Sequence, residues 1–284
     1  MIIARLQGGL GNQLFQYAAA KALSLKLNTP FKLETITSLQ KDRQRQIALN
    51  DLHAKFELAT KKEIKQFLYF PALYRHQPAF FANLGKHIYR EPHFHFDPNF
   101  FRLDDPVFLD GFWQSPEYFK DIEDIIRQDF TVKEELIKNV KEKGKELESK
   151  ASVAVHIRRG DFLNSKAATY HGVMNAEYYL NGLRLIQEKI PGASIHYFSD
   201  DIEWVKTNLP ADNAEFVSSY TKSAIEDFYL MTKCRHNIIA NSSFSWWPAW
   251  LNNNSGKIIV APKNWLADSR INTNDLISPG WIRI

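Results

Sequence analysis

Residues 1–34 read MIIARLQGGLGNQLFQYAAAKALSLKLNTPFKLE, in which a short apolar run meets three glycines and a helix-like stretch leads to a second apolar run. The helical stretch has a stop signal at Asn28–Pro30. Strand, glycine loop, helix and strand in this order predict one unit of an α/β fold. A glycine loop that opens a helix is also the layout of a nucleotide-phosphate cradle. The stretch therefore raises the question of whether a nucleotide binds here.

After residue 150 the alternation becomes regular, with five short apolar runs: SVAVHI, SIHYFS, AEFVSS, NIIA and KIIVA. Helix-like segments separate them, one of them with Asn175 as a good N-cap and Pro191-Gly192 as a good stop. This spacing predicts a parallel, doubly wound sheet. We therefore expect an α/β fold with two Rossmann-like domains facing a cleft, residues 1–132 and 133–284.

Composition and charge restrict the class of protein. The 284 residues are 44% hydrophobic and 24% charged, which is typical of a globular protein with a sizeable core. No apolar run approaches the ~18–20 residues of a membrane span, and no signal peptide opens the chain. The single cysteine, Cys234, excludes an internal disulfide and a multi-cysteine zinc site. These features predict a cytoplasmic protein.

The net charge of +4 is mild and is compatible with an anionic substrate or with the anionic inner face of a membrane. Nucleic-acid partners are not expected, because no basic stripe with interleaved aromatics is found. Residues 67–119 are rich in aromatic residues and interrupted by prolines. Their rings either fill an irregular core or stack on sugars. Within this region His93, His95 and Asp97 alternate on one face of a predicted strand and could ligate zinc, although no further ligand is marked.

Polar clusters follow three of the apolar runs in the second half. They are His156, Arg158, Arg159 and Asp161; Ser199, Asp200 and Asp201; and Ser242, Ser243, Phe244 and Ser245. Ligands of an open parallel sheet bind at the carboxyl ends of its strands. We therefore expect the three clusters to converge on one crevice.

Each cluster suits one part of a nucleoside diphosphate. Guanidinium groups make bidentate contacts with phosphate, and hydroxyls at a helix N-terminus form an anion site. Asp200 could accept hydrogen bonds from N1–H and the 2-amino group of guanine. Simpler roles stay open at this stage: an arginine could pair with Asp161 or another acid, Ser242 could cap a helix, and so could Asp200 or Asp201.

Several enzyme classes lack their motifs in this chain. There is no P-loop and no nucleophile elbow. No Asp-x-Asp occurs, which argues against a glycosyltransferase that holds its nucleotide through a metal. Tyr170 and Tyr220 have no lysine four residues later, as a nucleotide-sugar epimerase or dehydrogenase would require.

The stretch HIRRGD at 156–161 matches the His-x-Arg-Arg-x-Asp motif of α1,2-, α1,6- and protein O-fucosyltransferases. The whole chain resembles the bacterial α-1,2-fucosyltransferases of glycosyltransferase family 11. The stretches that carry the resemblance run in order along nearly the full length: RLQGGLGNQLFQYAAAKAL, LDGFWQSPEYF, VAVHIRRGDF, YHGVMNAEYY, YFSDD, NSSFSWWPAWL and VAPKNW.

The resemblance implies an inverting, metal-independent enzyme of the GT-B type. It would transfer L-fucose from GDP-β-L-fucose to the 2-hydroxyl of a terminal galactose, with residues 1–132 on the acceptor side and 133–284 binding the donor. Other linkages or acceptors, and a non-catalytic glycan-binding protein, remain alternatives. No cofactor besides the donor substrate is implied, and the partners are GDP-fucose and a galactose-terminated glycan.

Residue roles carry over from the resemblance as well. Arg158 would contact the pyrophosphate with Arg159 beside it, Asp200 would recognise guanine, and the glycine loop would bring Asn12 to the donor phosphate. The residues expected to bind the donor are Gly11, Asn12, His156, Arg158, Arg159, Ser199, Asp200, Ser242, Ser243, Phe244 and Ser245. Asp161 and Glu177 are the candidate general bases, and the base stays open.

Overall fold

The computed structural model describes residues 1–38, 46–74, 76–160 and 169–284, which form two compact units. The first unit contains Met1–Thr131 and Asn274–Leu276, and the second contains Val132–Thr273 and Ile277–Ile284. Each unit is built on a parallel sheet with helices between its strands. The short segment Asn274–Leu276 could not be assigned to the first unit from the sequence, because it lies far along the chain from the rest of that unit.

The sheet of the first unit has five parallel strands in the order β3-β2-β1-β5-β4. The strands are β1 Ile2–Arg5, β2 Phe31–Glu34, β3 Glu57–Leu58, β4 Ile88–Arg90 and β5 Val107–Asp110. The middle strand β1 places Ile2 opposite Phe31 on one side and Val107 on the other. All four residues of β1 are buried, as expected for a strand covered on both faces.

The helices of the first unit are α1 Leu10–Leu27, α2 Lys61–Ile64, α3 Pro71–Tyr74, α4 Pro78–Ala82 and α5 Glu123–Asp129. Gly8 precedes α1 with a φ of +80°, a conformation that favours glycine. The helix ends at Asn28, which is left-handed and donates its backbone N–H to the carbonyls of Ser24 and Leu25. The predicted strand, glycine loop, helix and strand are all present.

The sheet of the second unit has six parallel strands in the order β11-β10-β9-β6-β7-β8. The strands are β6 Ser152–Ile157, β7 Ser194–Ser199, β8 Ala214–Phe216, β9 His236–Ile238, β10 Ile259–Ala261 and β11 Ile282–Arg283. Every residue of β6 is buried, because the strand lies inside the sheet and is covered on both faces. The five predicted strands are present, whereas β11 has two residues and therefore no periodicity that would reveal it.

The helices of the second unit are α6 Lys141–Ser149, α7 Ala176–Lys189, α8 Ile202–Asn208, α9 Ala224–Lys233 and α10 Ser243–Leu251. Helix α7 begins as predicted, with the Asn175 side chain accepting a hydrogen bond from the Tyr178 backbone N–H at 3.0 Å. Its buried face, which includes Leu183 and Ile186, packs against Val153 and other residues of the sheet. Among the helices that the structure describes, none has the length and apolar character needed to cross a membrane.

Candidate active site

The polar clusters predicted from the second half follow strands that are neighbours in the sheet, in the order β9-β6-β7. Ile157 lies opposite Ser199, and Val155 lies opposite Ile238, so the three strands end at one edge. The structure thus brings the described members of the three clusters together at this edge. Asp161 lies outside the residues that the structure describes.

Arg158 and Asp200 form an ion pair across the ends of β6 and β7. The Arg158 Nη1 atom lies 2.8 Å from Asp200 Oδ2, and the Arg159 backbone N–H donates to Asp200 Oδ1 at 2.9 Å. Gly160 permits this approach, because a Cβ there would lie 2.7 Å from Asp200 Oδ2. The Arg158 side chain is 32% exposed and that of Asp200 is 27% exposed. A guanidinium group is therefore held in a set position while part of its surface stays open.

The pairing bears on the predicted contact between Asp200 and guanine. Each Asp200 oxygen already accepts one hydrogen bond or ion pair from the protein. A carboxylate oxygen has a second lone pair, so both oxygens retain acceptor capacity. Recognition of the base by Asp200 stays a prediction.

Arg159 is held by helix α8 and by the N-cap residue of that helix. Its Nε lies 3.3 Å from Asp201 Oδ2, and its guanidinium carbon lies 4.2 Å from the centroid of the Trp204 ring. Asp201 caps α8 by accepting the Trp204 backbone N–H at 3.1 Å. Of the two neighbouring aspartates, Asp201 is thus the helix cap, while Asp200 pairs with the first arginine.

The serine segment splits into residues at the edge and residues inside the fold. Ser242 is the N-cap of α10, and its hydroxyl accepts the Phe244 backbone N–H at 3.3 Å. Ser243 and Phe244 are partly exposed in the first turn. Ser245 is 1% exposed, and its hydroxyl donates to the Ser242 carbonyl at 3.2 Å. The structure therefore places Ser243 and Phe244 where an anion can meet the helix N-terminus, but it turns Ser245 inward.

His156 and Ser199 lie beneath this edge. The His156 ring is 5% exposed, its centroid lies 5.6 Å from that of Phe244, and its Nδ1 has no hydrogen-bond partner. Burial, assisted by the charge of Arg158, lowers the pKa of His156 to about 3. The imidazole is therefore neutral near pH 7. Ser199 accepts the Asp201 backbone N–H on its hydroxyl at 2.9 Å and supports the end of β7.

In the first unit, Asn12 lies in the first turn of α1 and is held by Gln114. Its Oδ1 accepts a hydrogen bond from Gln114 Nε2 at 2.8 Å. A Cβ on Gly8 would lie 2.4 Å from Asn12 Nδ2, so glycine is required for the amide to take this position. The hydrogen bond from Gln114 thus fixes the orientation of the Asn12 amide beside the glycine loop.

Gln13, the neighbour of Asn12 in α1, is completely buried. Gln13 Nε2 donates to the carbonyls of Gly8 and Gln46, and its Oε1 accepts the Ala48 backbone N–H at 3.0 Å. Gly11 is also buried, inside α1. Gln13 therefore holds the glycine loop, and Asn12 is the partly exposed residue.

Gln114 and Glu91 are two polar residues of the first unit that the sequence reasoning missed. The Glu91 carboxylate accepts the backbone N–H groups of Phe112 and Trp113 at 2.7 and 2.9 Å, which fixes the turn that presents Gln114 to Asn12. Burial raises the pKa of Glu91 to about 7. Both residues follow strand ends, β4 and β5, so the strand-end rule used for the second half would have found them.

The remaining candidates from the sequence are the general bases and the metal ligands. Glu177 is exposed in the first turn of α7, and Asp161 is not described. His93 and His95 stack with ring centroids 3.6 Å apart, outside any strand, and Asp97 caps the short helix Pro98–Arg102. Across residues 1–38, 46–74, 76–160 and 169–284, no three His, Cys, Asp or Glu residues form a group that could hold a metal ion.

Comparison with known proteins identifies relatives over the whole chain. The family model described as Glycosyl transferase family 11 matches residues 1–284. An alpha-1,2-colitosyltransferase of Escherichia coli is 32% identical, with the alignment covering 100% of this chain and 99% of that protein. The O-antigen biosynthesis glycosyltransferase WbnK of Escherichia coli is 33% identical, with 98% and 99% covered.

A solved structure with a similar fold is that of the fucosyltransferase NodZ from Bradyrhizobium, with a TM-score of 0.51 and 16% identity. The match covers 88% of this chain and 91% of that one. The predicted α/β fold class of the GT-B type is confirmed.

Proposed function

The chain belongs to glycosyl transferase family 11, and we propose that it transfers L-fucose from GDP-β-L-fucose to the 2-hydroxyl of a terminal galactose, with inversion and without a metal. The second unit binds the donor, and the first unit binds the acceptor. The observation that carries the proposal is Arg158, which Asp200 holds at the sheet edge with about a third of its side chain exposed. A fixed and accessible guanidinium beside a helix N-terminus suits a pyrophosphate.

The reaction requires stabilisation of negative charge as GDP leaves. The acceptor hydroxyl attacks C1 of the sugar from the face opposite GDP, the bond from C1 to the β-phosphate oxygen breaks, and charge builds on that oxygen. In this proposal Arg158 and the first turn of α10 at Ser243 and Phe244 stabilise the charge. Contacts that act on developing charge contribute more to the transition state than to the ground state.

Arg159, Asp201 and His156 would support this edge without touching the leaving group. Arg159 is bound to Asp201 and stacked on Trp204, so its orientation is set before any ligand arrives. The buried His156 packs beneath Phe244 in the first turn of α10. Such rigid support reduces the reorganisation that the reaction requires. The general base stays open between Asp161 and Glu177, with direct loss of the proton to water as a further alternative.

A second candidate donor is GDP-colitose. The relative that is 32% identical over the whole chain carries the name alpha-1,2-colitosyltransferase. Colitose differs from L-fucose only by the absence of the 3-hydroxyl, so the nucleotide contacts proposed here would serve both donors equally. The two sugars differ in one hydrogen-bonding group, which a complementary site can discriminate strongly.

The deciding experiment is a transfer assay with lactose in the presence of EDTA, run in parallel with GDP-fucose and GDP-colitose. We expect 2-linked fucosyllactose, identified by linkage analysis. A preference for GDP-colitose would move the assignment to the second candidate. Product that forms only with added divalent metal would contradict the metal-free mechanism. No product from either donor on any galactoside would contradict the proposed function.

A further inference from the structure

One segment of the first unit combines exposed apolar side chains with an unbalanced charge. Between Glu63 and Glu91 the sequence contains no aspartate or glutamate, while it contains Lys65, Arg75, Lys86 and Arg90. Within the described residues, no acidic partner is found for Lys65 or Lys86. Arg90 is paired with Asp110 at 3.2 Å, so Lys65 and Lys86 are the described positive charges of the segment that no acidic partner neutralises.

The inner side of this segment is anchored in the core. Phe67, Leu68 and Tyr74 are buried and pack in one cluster with Phe108 of β5. The Lys86 backbone N–H donates to the Phe67 carbonyl at 3.0 Å and closes the segment on itself. Helices α3 and α4 are thereby fixed to the sheet.

The outward side is apolar. Its members, which we call the apolar face, are Tyr69, Phe70, Leu73, Phe80 and Leu84, each between 43 and 57% exposed. The ring centroid of Phe81 lies 6.1 Å from that of Phe70, which precedes α3, and 5.1 Å from that of Phe80 in α4, so the three rings form one cluster. Five of the eleven large apolar side chains exposed in the described part of the chain lie in these 16 residues. An exposed apolar cluster of this kind marks a binding surface.

We infer that the apolar face binds the surface of an anionic phospholipid membrane. Aromatic and leucine side chains enter the boundary between headgroups and acyl chains, and lysines near the surface are attracted by anionic headgroups. A second copy of the chain is disfavoured as occupant, because a symmetric interface would bring the same basic residues together. The inference does not depend on which sugar the protein transfers.

The test is co-sedimentation with sucrose-loaded vesicles. We compare phosphatidylcholine vesicles with vesicles containing about 30% phosphatidylglycerol, and we expect partitioning to the anionic vesicles to be at least about tenfold stronger. Raising the salt to about 0.5 M should weaken binding, because the headgroup charge is screened.

Two double variants separate the contributions. Lys65→Gln/Lys86→Gln should reduce partitioning to anionic vesicles on the order of 30-fold and leave binding to phosphatidylcholine unchanged. Phe70→Ser/Phe80→Ser should reduce binding at least about tenfold. Leu25→Ser is the matched control, since Leu25 is 46% exposed but lies on α1 outside the apolar face. Its binding should equal that of the wild type.

Thermal unfolding of each variant confirms that the fold is retained. Equal binding by the wild type and both double variants would overturn the inference, as would absence of binding to anionic vesicles. A dimer in light scattering that dissociates in Phe70→Ser/Phe80→Ser, without vesicle binding by the wild type, would assign the apolar face to a second copy instead.

Discussion

Each of the two sheets carries an arginine at the end of an inner strand, paired with an aspartate at the end of a neighbouring strand. In the first unit Arg5 Nη1 lies 2.9 Å from Asp110 Oδ1, and in the second unit Arg158 Nη1 lies 2.8 Å from Asp200 Oδ2. The two pairs have nearly the same nitrogen–oxygen distance but different exposure. The side chains of Arg5 and Asp110 are 7 and 4% exposed, against 32 and 27% for Arg158 and Asp200.

The residues around each pair explain the difference in exposure. Arg5 also donates to the Thr37 hydroxyl and lies over the Tyr74 ring, while Asp110 accepts from the Tyr74 hydroxyl at 2.8 Å. The protein itself encloses this pair. The second pair lies at an edge that leaves part of both groups in solvent. A strand-end arginine and aspartate therefore do not by themselves indicate a ligand site, and exposure distinguishes the supporting pair from the proposed binding pair.

The largest effect is expected from Asp110→Ala. Removing the carboxylate leaves the Arg5 charge buried without its partner, which should lower the free energy of unfolding by about 3–5 kcal/mol. Urea denaturation of the full chain measures this. Glu117→Ala, which removes an exposed pair with Lys120, is the control and should cost less than about 1 kcal/mol. Equal effects of the two substitutions would contradict the supporting role of the first pair.

Arg158→Ala should affect catalysis more than stability. Loss of a contact that stabilises developing charge lowers turnover by about a hundred- to a thousandfold. The exposed pair itself contributes at most about 1 kcal/mol to folding. Initial rates with GDP-fucose and lactose test the prediction, with Arg184→Ala on the exposed surface of α7 as control. A near-normal rate in Arg158→Ala would remove Arg158 from the proposed site.

The burial of His156 in the second unit should make the free energy of unfolding depend on pH. Since burial lowers the pKa of His156 from 6.5 to about 3, the unfolded chain binds a proton between these values that the folded chain excludes. The corresponding stability is present above pH 6.5 and is lost as the pH falls, by about 2 kcal/mol at pH 5. His156→Gln cannot titrate, so its unfolding free energy should fall less steeply. Parallel curves for wild type and variant between pH 7 and pH 5 would argue against this burial effect.

The smallest effect concerns Gln114 and the glycine loop. Gln114→Leu removes one hydrogen bond to Asn12, which should cost about 1 kcal/mol and lower turnover roughly fivefold. If Gln114 acts only by positioning Asn12, adding Gln114→Leu to Asn12→Ala should cause no further loss. A double-variant cycle on turnover measures this coupling. Additive losses would assign Gln114 a role of its own.

Local sequence patterns were sufficient to predict much of the fold and part of the candidate site. The buried run at β6, the Asn175 cap and the three polar clusters all follow from the order of residues, because strand burial and helix capping act over a few positions. The closed pair of Arg5 and Asp110 was not foreseen, because its partners are 105 residues apart. The burial of Ser245 was not predicted for a related reason. It depends on how α10 packs in the folded unit, and not on the residues next to Ser245 in the sequence.

The sequence by itself determined an α/β chain with parallel sheets and the residues that stand at the strand ends, because hydrophobic periodicity and turn residues encode these locally. Only the tertiary structure decided which of two similar arginine–aspartate pairs is enclosed and which is open. It also decided that Gln13 is buried while Asn12 is held by Gln114. Exposure and hydrogen-bond partners depend on what distant segments place around a residue, and no local pattern records them.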